Sequence, residues 1–128
     1  MNPKEYRYTQ QHEWIYAEPE DKVKMGITHY AQAQLGYIVF IHLPSLGIQI
    51  EQSQKIGEIE SMKAVSELLS PVSGQVIEVN LAVLDNSQLV NNDPYGTGWL
   101  IRLKLSKLWE IDSLMNSEEY DKYITELT

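Results

Sequence analysis

Residues 58–67 read "EIESMKAVSE", a lysine set between two strand-compatible segments and surrounded by carboxylates. Met62 and Ala64 flank Lys63, Glu58, Glu60 and Glu67 lie close by, and Glu51 is a little upstream. "GEIESM" and "AVSELL" both read as strands, so the lysine falls at the tip of a hairpin that spans roughly residues 58–69. A residue at a tight tip has few neighbours and projects into water. Two readings compete. Lys63 is an ordinary solvated lysine, or it is displayed in order to be modified. Spacing alone favours the first.

Outward from the hairpin, most of the chain reads as short strands. Val23, Met25 and Ile27 alternate with Lys22, Lys24 and Gly26. In "YIVFIHLP", Val39, Ile41 and Leu43 share one face and Pro44 stops the run. Ile48 and Ile50 follow Gly47; Val76, Ile77 and Val79 follow Gly74. Ile101, Leu103 and Leu105 alternate with Arg102 and Lys104. Gly and Pro punctuate these runs at short intervals, the pattern of a mainly β chain. "PSLGIQI" (residues 44–50) and "PVSGQVI" (residues 71–77) share Pro-x-x-Gly-x-apolar, 27 residues apart, with Lys63 between the copies. Two similar half-sheets meeting at a hairpin would put that hairpin at one end.

Helix signals are fewer. "THYAQAQLG" offers Thr28 as an N-cap and Gly36 just past the C-terminus. Leu108, Ile111, Leu114 and Met115 are helically spaced. Ser117 can cap a further helix, with Glu118 and Glu119 at its positive end. Tyr120, Tyr123, Ile124 and Leu127 form the apolar stripe of that helix.

Composition narrows the function. The chain has 128 residues, 43% hydrophobic and 22% charged, with a net charge of −8. That suits one globular domain over residues 1–128. The acidity argues against nucleic acid and anionic membrane surfaces, which need basic clusters. With no cysteine, a disulfide framework, a thiolate zinc site and a cysteine nucleophile are all excluded. The N-terminal stretch lacks the features of a secretory signal. The longest apolar run, Tyr37 to Ile41, is far short of the roughly 20 residues of a membrane span. A cytoplasmic protein is expected.

No catalytic set assembles. His12, His29 and His42 form no i, i+4 pair and no H-E-x-x-H. "HEW" (residues 12–14) is a lone His-Glu pair. No G-x-S-x-G elbow occurs. "GTG" (residues 96–98) precedes an alternating strand and reads as a hairpin turn. The expectation is a protein that is not an enzyme.

Against that background "ESMKAVSELLSPVSGQVIEVN" (residues 60–80) resembles the lipoyl-attachment segment of glycine cleavage H proteins. "HEWI" (12–15), "GITHYAQAQLGYIVFIHLP" (26–44), "LVNNDPYGTGWLIRLKLS" (89–106) and "NSEEYDKYI" (116–124) follow in that family's order. The resemblance implies a barrel-sandwich hybrid: two small antiparallel sheets, a short internal helix and C-terminal helices. It implies lipoic acid in amide linkage on Lys63 as cofactor, and a monomer that works in glycine catabolism and one-carbon metabolism. The implied partners are three enzymes. A pyridoxal-phosphate glycine decarboxylase loads an aminomethyl group, an aminomethyltransferase takes the one-carbon unit, and a dihydrolipoyl dehydrogenase reoxidises the dithiol. A lipoate ligase or lipoyl transferase would attach the cofactor. The compartment would be the cytoplasm, or the mitochondrial matrix for a mature eukaryotic form.

The resemblance also places a loaded arm near Glu13 and Glu67, where a carboxylate would attract a protonated amine. Otherwise both are ordinary surface acids. Glu60, three residues before Lys63, is a recognition candidate. Tyr37 stands where the family usually has an acid, Met62 where valine is more usual, and Gln11 where some relatives have serine. A methionine before the lysine also occurs in biotin-attachment segments, but those usually have one after it too, where this chain has Ala64. A relay that donates lipoate to other enzymes, outside glycine cleavage, would need the same hairpin.

Overall fold

The alternating stretches become nine strands among the described residues of a computed structural model, which describes residues 2–127. In chain order they are β1 (Arg7–Tyr8), β2 (Glu13–Glu18), β3 (Lys22–Ile27), β4 (Ile38–His42) and β5 (Gln49–Ile50). Then come β6 (Lys55–Ser61), β7 (Val65–Leu69), β8 (Gly74–Val79) and β9 (Ile101–Leu105). Helix α1 (His29–Leu35) precedes β4, and α2 (Leu81–Asp85) and α3 (Gln88–Asn92) precede β9. A 3-10 helix (Leu108–Ser113) and α4 (Ser117–Leu127) close the chain. Six strands form one antiparallel sheet in the order β1-β2-β3-β9-β8-β5; β4-β6-β7 form a second. Neither sheet closes into a barrel, and the mainly β architecture of two small antiparallel sheets with added helices matches expectation.

The sheets share one apolar core. Val23, Met25 and Ile27 from β3, Ile101, Leu103 and Leu105 from β9, and Ile59 and Leu68 from the hairpin all turn inward. A second cluster stacks Tyr8 against Tyr120 and packs around Trp14. This joins α4 to β1 and β2. As the sequence suggested, the Thr28 hydroxyl accepts a hydrogen bond from the Ala31 amide (3.1 Å) and Gly36 ends α1 at φ 78°.

The two Pro-x-x-Gly copies pair with each other. The Gly47 amide donates to the Val76 carbonyl (2.8 Å), the Val76 amide donates to the Ile48 carbonyl (3.0 Å), and Ile50 lies opposite Gly74. Just past this pairing the chain crosses from the large sheet to the small one, and it crosses back after the hairpin. The two crossings are bonded to each other through Ser53 to Ser70 (2.8 Å) and Ser70 to Gln54 (2.9 Å). The hairpin therefore projects from a paired base.

Several local expectations are corrected. A β-bulge between Ile38 and Phe40 shifts the phase of β4, so Ile38 and Ile41 face inward and Val39 faces out. Ile48 is exposed, and only Ile50 of that pair is buried. The stretch with Leu108, Ile111, Leu114 and Met115 is a 3-10 helix that stops at Ser113. The Glu110 side chain is drawn inward to Ser73, and Met115 bridges Tyr8 by backbone bonds. Helix α4 is capped by Asn116, not Ser117. The Glu119 amide donates to the Asn116 side chain and the Glu119 carboxylate accepts from the Asn116 amide, both at 2.9 Å. Such a reciprocal pair satisfies two donors at once. "GTG" joins α3 to β9 rather than two strands, with the Asp93 carboxylate accepting from the Thr97 amide (2.9 Å). The short helices α2 and α3 were not anticipated.

At Gly57, β4 and β6 approach closely: a Cβ there would overlap the carbonyl oxygen of His42. Gly57→Ala should therefore destabilise the protein by about 1–3 kcal/mol, the usual cost of overpacking. Urea unfolding measures this, and an unchanged midpoint would mean that the two strands part there without cost.

Candidate functional site

The hairpin register places Gly57 opposite Leu68, Glu58 opposite Glu67, Ile59 opposite Ser66 and Glu60 opposite Val65. Ile59 and Leu68 enter the core. Glu58, Glu60, Val65 and Glu67 occupy the outer face. Residues 62–64 form the tip, as read from the sequence. Ser61 closes it: its amide donates to the Ala64 carbonyl (2.8 Å). Its hydroxyl oxygen accepts from the Lys63 and Ala64 amides (3.3 and 3.2 Å). The Met62 amide ties the tip to the residue just before β4, donating to the Tyr37 carbonyl (3.0 Å).

Lys63 is exposed and makes no side-chain hydrogen bond or ion pair among the described residues. Its stem lies against Gly36, where a Cβ would sit 3.6 Å from Lys63 Cε. Lys55, at the base of the same hairpin, is different. It pairs with Glu58 (2.9 Å) and Glu67 (3.6 Å), and the bond to Glu58 holds its pKa above the ordinary lysine value. The amine at the tip is thus available, while the one at the base is engaged.

The surface around Lys63 is apolar. Met62 is 75% exposed, Val65 60%, Tyr37 59% and Phe40 55%. Phe40, Glu60 and Val65 form one cross-strand row on the outer face. Glu60 is exposed, as expected, and forms no ion pair among the described residues. It is the single charge in that row.

Glu13, Glu67 and Lys63 are not gathered into one site. Glu67 is exposed on the outer face beside Lys55. Glu13 is not a surface acid: it is 2% exposed. Its carboxylate accepts from the Thr9 hydroxyl (2.7 Å) and from the Leu69 amide (3.3 Å), strapping the β1–β2 turn to the end of β7. Leu69 lies six residues from Lys63, about 20 Å along an extended strand. Burial pushes the Glu13 pKa up to about 7. Burial thus works against the charge expected there to attract an amine.

Nearer the tip, a cavity of about 300 Å³ is lined by Gln11, His12, Tyr30, Gln34, Leu35 and Ser66. Ser66 follows from hairpin parity, since it sits opposite the buried Ile59 and so points away from Glu67. Gln34 follows from α1 ending beside the tip. Sequence reading singled out neither. His12 is held by the Tyr120 hydroxyl (2.8 Å), and burial lowers its pKa, favouring the neutral ring. The lining offers polar contacts without a formal charge. His29 and His42 lie elsewhere, His29 bonded to Gln32 and His42 on the outer face opposite Glu58. The arrangement presents an amine that, among the described residues, no histidine or carboxylate bonds.

Comparison with known proteins converges on one family. The family model described as "Glycine cleavage H-protein" matches residues 6–127. A glycine cleavage system H protein of Geobacillus kaustophilus is 48% identical over 124 residues, covering 97% of this chain and 97% of that protein. One from Carboxydothermus hydrogenoformans is 46% identical over 124 residues, covering 97% and 95%. Among solved structures, a glycine cleavage system H protein from Mycobacterium marinum superposes with a TM-score of 0.89. It is 37% identical and covers 97% of this chain and 99% of that one.

The raised pKa of Glu13 has a sign that can be measured. A carboxyl whose folded pKa lies above its unfolded value binds more protons in the folded state between the two. Its contribution is fully present below the unfolded value near 4.5 and is lost as pH rises through about 7. Glu13→Gln removes the titration and keeps a polar group between Thr9 and Leu69. Thermal melts from pH 5 to 7.5 should show a flatter pH dependence for this variant, with no loss of Tm at pH 7.5. A strongly lowered Tm there would mean that the ionised carboxylate stabilises the strap.

Proposed function

The chain belongs to the glycine cleavage H-protein family, and we propose that Lys63 is the residue on which it carries its lipoyl group. Its part in glycine cleavage is that of a carrier, a component with no catalysis of its own. The family implies lipoate as the cofactor and a glycine decarboxylase and an aminomethyltransferase as partners. The family names do not favour a relay outside glycine cleavage. One observation carries the assignment to Lys63: it stands exposed, and unpaired among the described residues, at a closed hairpin tip, within the segment that resembles the attachment motif.

The residues present fit an amide-linked lipoyl group. Lys63 supplies an acylatable amine clear of competing carboxylates. When bound, lipoate supplies a reversible disulfide that can take up and give back a one-carbon fragment, chemistry that a chain without cysteine cannot provide. Ser61 holds the lysine backbone, so the amine is offered from a defined point. Tethering then raises the effective concentration of the carried group at each partner. The cavity with Gln11, Gln34 and Ser66 offers an uncharged polar resting place beside the tip. Glu67 could contact an arm only on the outer face, and Glu13 only by an opening of its strap.

The apolar rim bears on who docks. A partner that receives Lys63 must pass Tyr37, Phe40, Met62 and Val65. Burying such side chains fully contributes roughly 1.5–3 kcal/mol each, against about 0–1 kcal/mol for an exposed ion pair. Apolar contact therefore supplies affinity, and Glu60 fixes register against a cation on the partner. We include a dihydrolipoyl dehydrogenase and a lipoate ligase or lipoyl transferase among these partners. We assign the whole chain as one carrier domain acting as a monomer, and on its bacterial relatives we place it in the cytoplasm. Among the described residues no helix is long and apolar enough to cross a membrane.

Two variants test this. Lys63→Arg keeps the charge but removes the acylatable amine. Given lipoate and a lipoate ligase, the parent should gain one lipoyl mass by intact-mass measurement and Lys63→Arg should gain none. A modified Lys63→Arg protein would sink the assignment. Glu60→Gln should slow lipoylation while changing stability by no more than about 0.5 kcal/mol. An unchanged rate would reduce Glu60 to a solubilising charge.

A further inference from the structure

We infer that Asn91 is a positioning residue for the lysine tip, holding from behind the short segment on which Lys63 rests. Asn91 lies at the C-terminal end of α3 and is half-buried. Its side-chain amide donates to the Gly36 carbonyl (2.8 Å) and to the Gln32 side chain (3.1 Å). Its side-chain oxygen accepts from the Ile38 amide (3.0 Å). The Ile38 carbonyl is held by the same helix region, accepting from the Ser87 hydroxyl (2.8 Å) and the Gln88 side chain (2.7 Å). Residues 36 and 38 are thus fixed from one side, with Tyr37 between them.

The held segment meets the tip at two places. Tyr37, between the two fixed residues and just before β4, turns its carbonyl to the Met62 amide, next to Lys63. Gly36 is the surface on which the lysine stem lies, and its φ of 78° sets the direction of that surface. Among the described residues Asn91 makes no hydrogen bond to Met62 or Lys63. It acts through the backbone of residues 36–38, where two of its three side-chain bonds end; the third goes to Gln32 in α1. A β-bulge begins at Ile38, where a ladder alone constrains the chain least. An external clamp there has a specific consequence: it keeps the tip from sampling orientations in which the amine is misdirected.

The inference rests on Lys63 as the attachment site, and its test separates the two. Asn91→Leu removes all three bonds at similar size. In the unmodified protein, amide hydrogen exchange is read at Met62 and, as internal reference, at Leu100, which bonds to Met25 in the large sheet (2.8 Å). Exchange at Met62 should rise about tenfold relative to Leu100, the scale of losing such bonds. For lipoylation by a lipoate ligase, KM for the protein should rise several-fold with kcat retained, because only the correctly oriented fraction of tips binds. A purely structural Asn91 would instead speed exchange at both amides alike and leave KM unchanged for folded protein. That result, or unchanged exchange at Met62, overturns the inference. Ser87→Ala, which removes one bond to the same segment, should show a milder form of the same pattern, and it serves as the test if Asn91→Leu fails to fold. If the parent protein gains no lipoate at Lys63, the attachment reading fails, while relative exchange at Met62 still decides the positioning role.

Discussion

The lysine hairpin depends on a buried carboxyl group at its base. Glu110, in the 3-10 helix, is 2% exposed. It accepts from the Ser73 amide (2.6 Å) and the Ser73 hydroxyl (2.9 Å). The Ser73 hydroxyl oxygen in turn accepts from the Gln52 amide (2.9 Å). These three residues tie together both places where the chain passes between sheets. Burying a carboxylate is costly unless its oxygens are satisfied, and hydrogen bonds to a charged acceptor are among the stronger ones. The crossing meets that condition, and among the described residues no buried side-chain nitrogen or oxygen lacks a partner. Without a fixed base, β6 and β7 would still pair with each other, but the direction in which they point Lys63 would not be set.

The same economy holds at the other end of the hairpin. The tip is closed by Ser61 and tied through the Met62 amide to Tyr37, just before β4, and among the described residues the Lys63 amine has no partner. Its three candidate acids fall in different environments. Glu60 is solvated on the apolar rim, Glu67 is paired with Lys55, and Glu13 is buried as a strap. A general acid–base site would bring such groups within hydrogen-bond reach of one reacting atom. Here they are kept apart, in keeping with a carrier that performs no catalysis of its own.

Much of this was legible in the sequence, for identifiable reasons. The hairpin and its tip are local: two strand-like segments leave no other place for Lys63. The ends of α1 are local too, since Thr28 and Gly36 satisfy its backbone directly. The long alternation in β9 has one solution, with Ile101, Leu103 and Leu105 inward. What was missed depends on distant partners. The bulge in β4 cannot be read from "YIVFIH", because a one-residue shift exchanges the faces. The 3-10 helix keeps helical spacing, but Glu110 is drawn to Ser73, 37 residues away in sequence. The cap of α4 required choosing between adjacent Asn116 and Ser117, and Glu119 decides it by bonding back to Asn116. Glu13 read as a surface acid because its partner amide, Leu69, lies 56 residues further on.

The Pro-x-x-Gly echo shows how a weak sequence signal becomes a strong structural one. Two turns of similar chemistry, 27 residues apart, carry little information separately. Once paired, they impose a symmetry: each copy enters the large sheet next to the other, and the segment between them must leave that sheet and return at neighbouring points. A segment so constrained pairs with itself in the other sheet, and β6 and β7 do so. On its other side the second copy runs close to β9, where a Cβ at Gly74 would overlap the Lys104 carbonyl. The lysine lies near the middle of the excursion, as far from both crossings as the hairpin allows. Its exposure is therefore a consequence of where the chain was forced to turn, and the Lys63 amine occupies the point that the topology pushes outward.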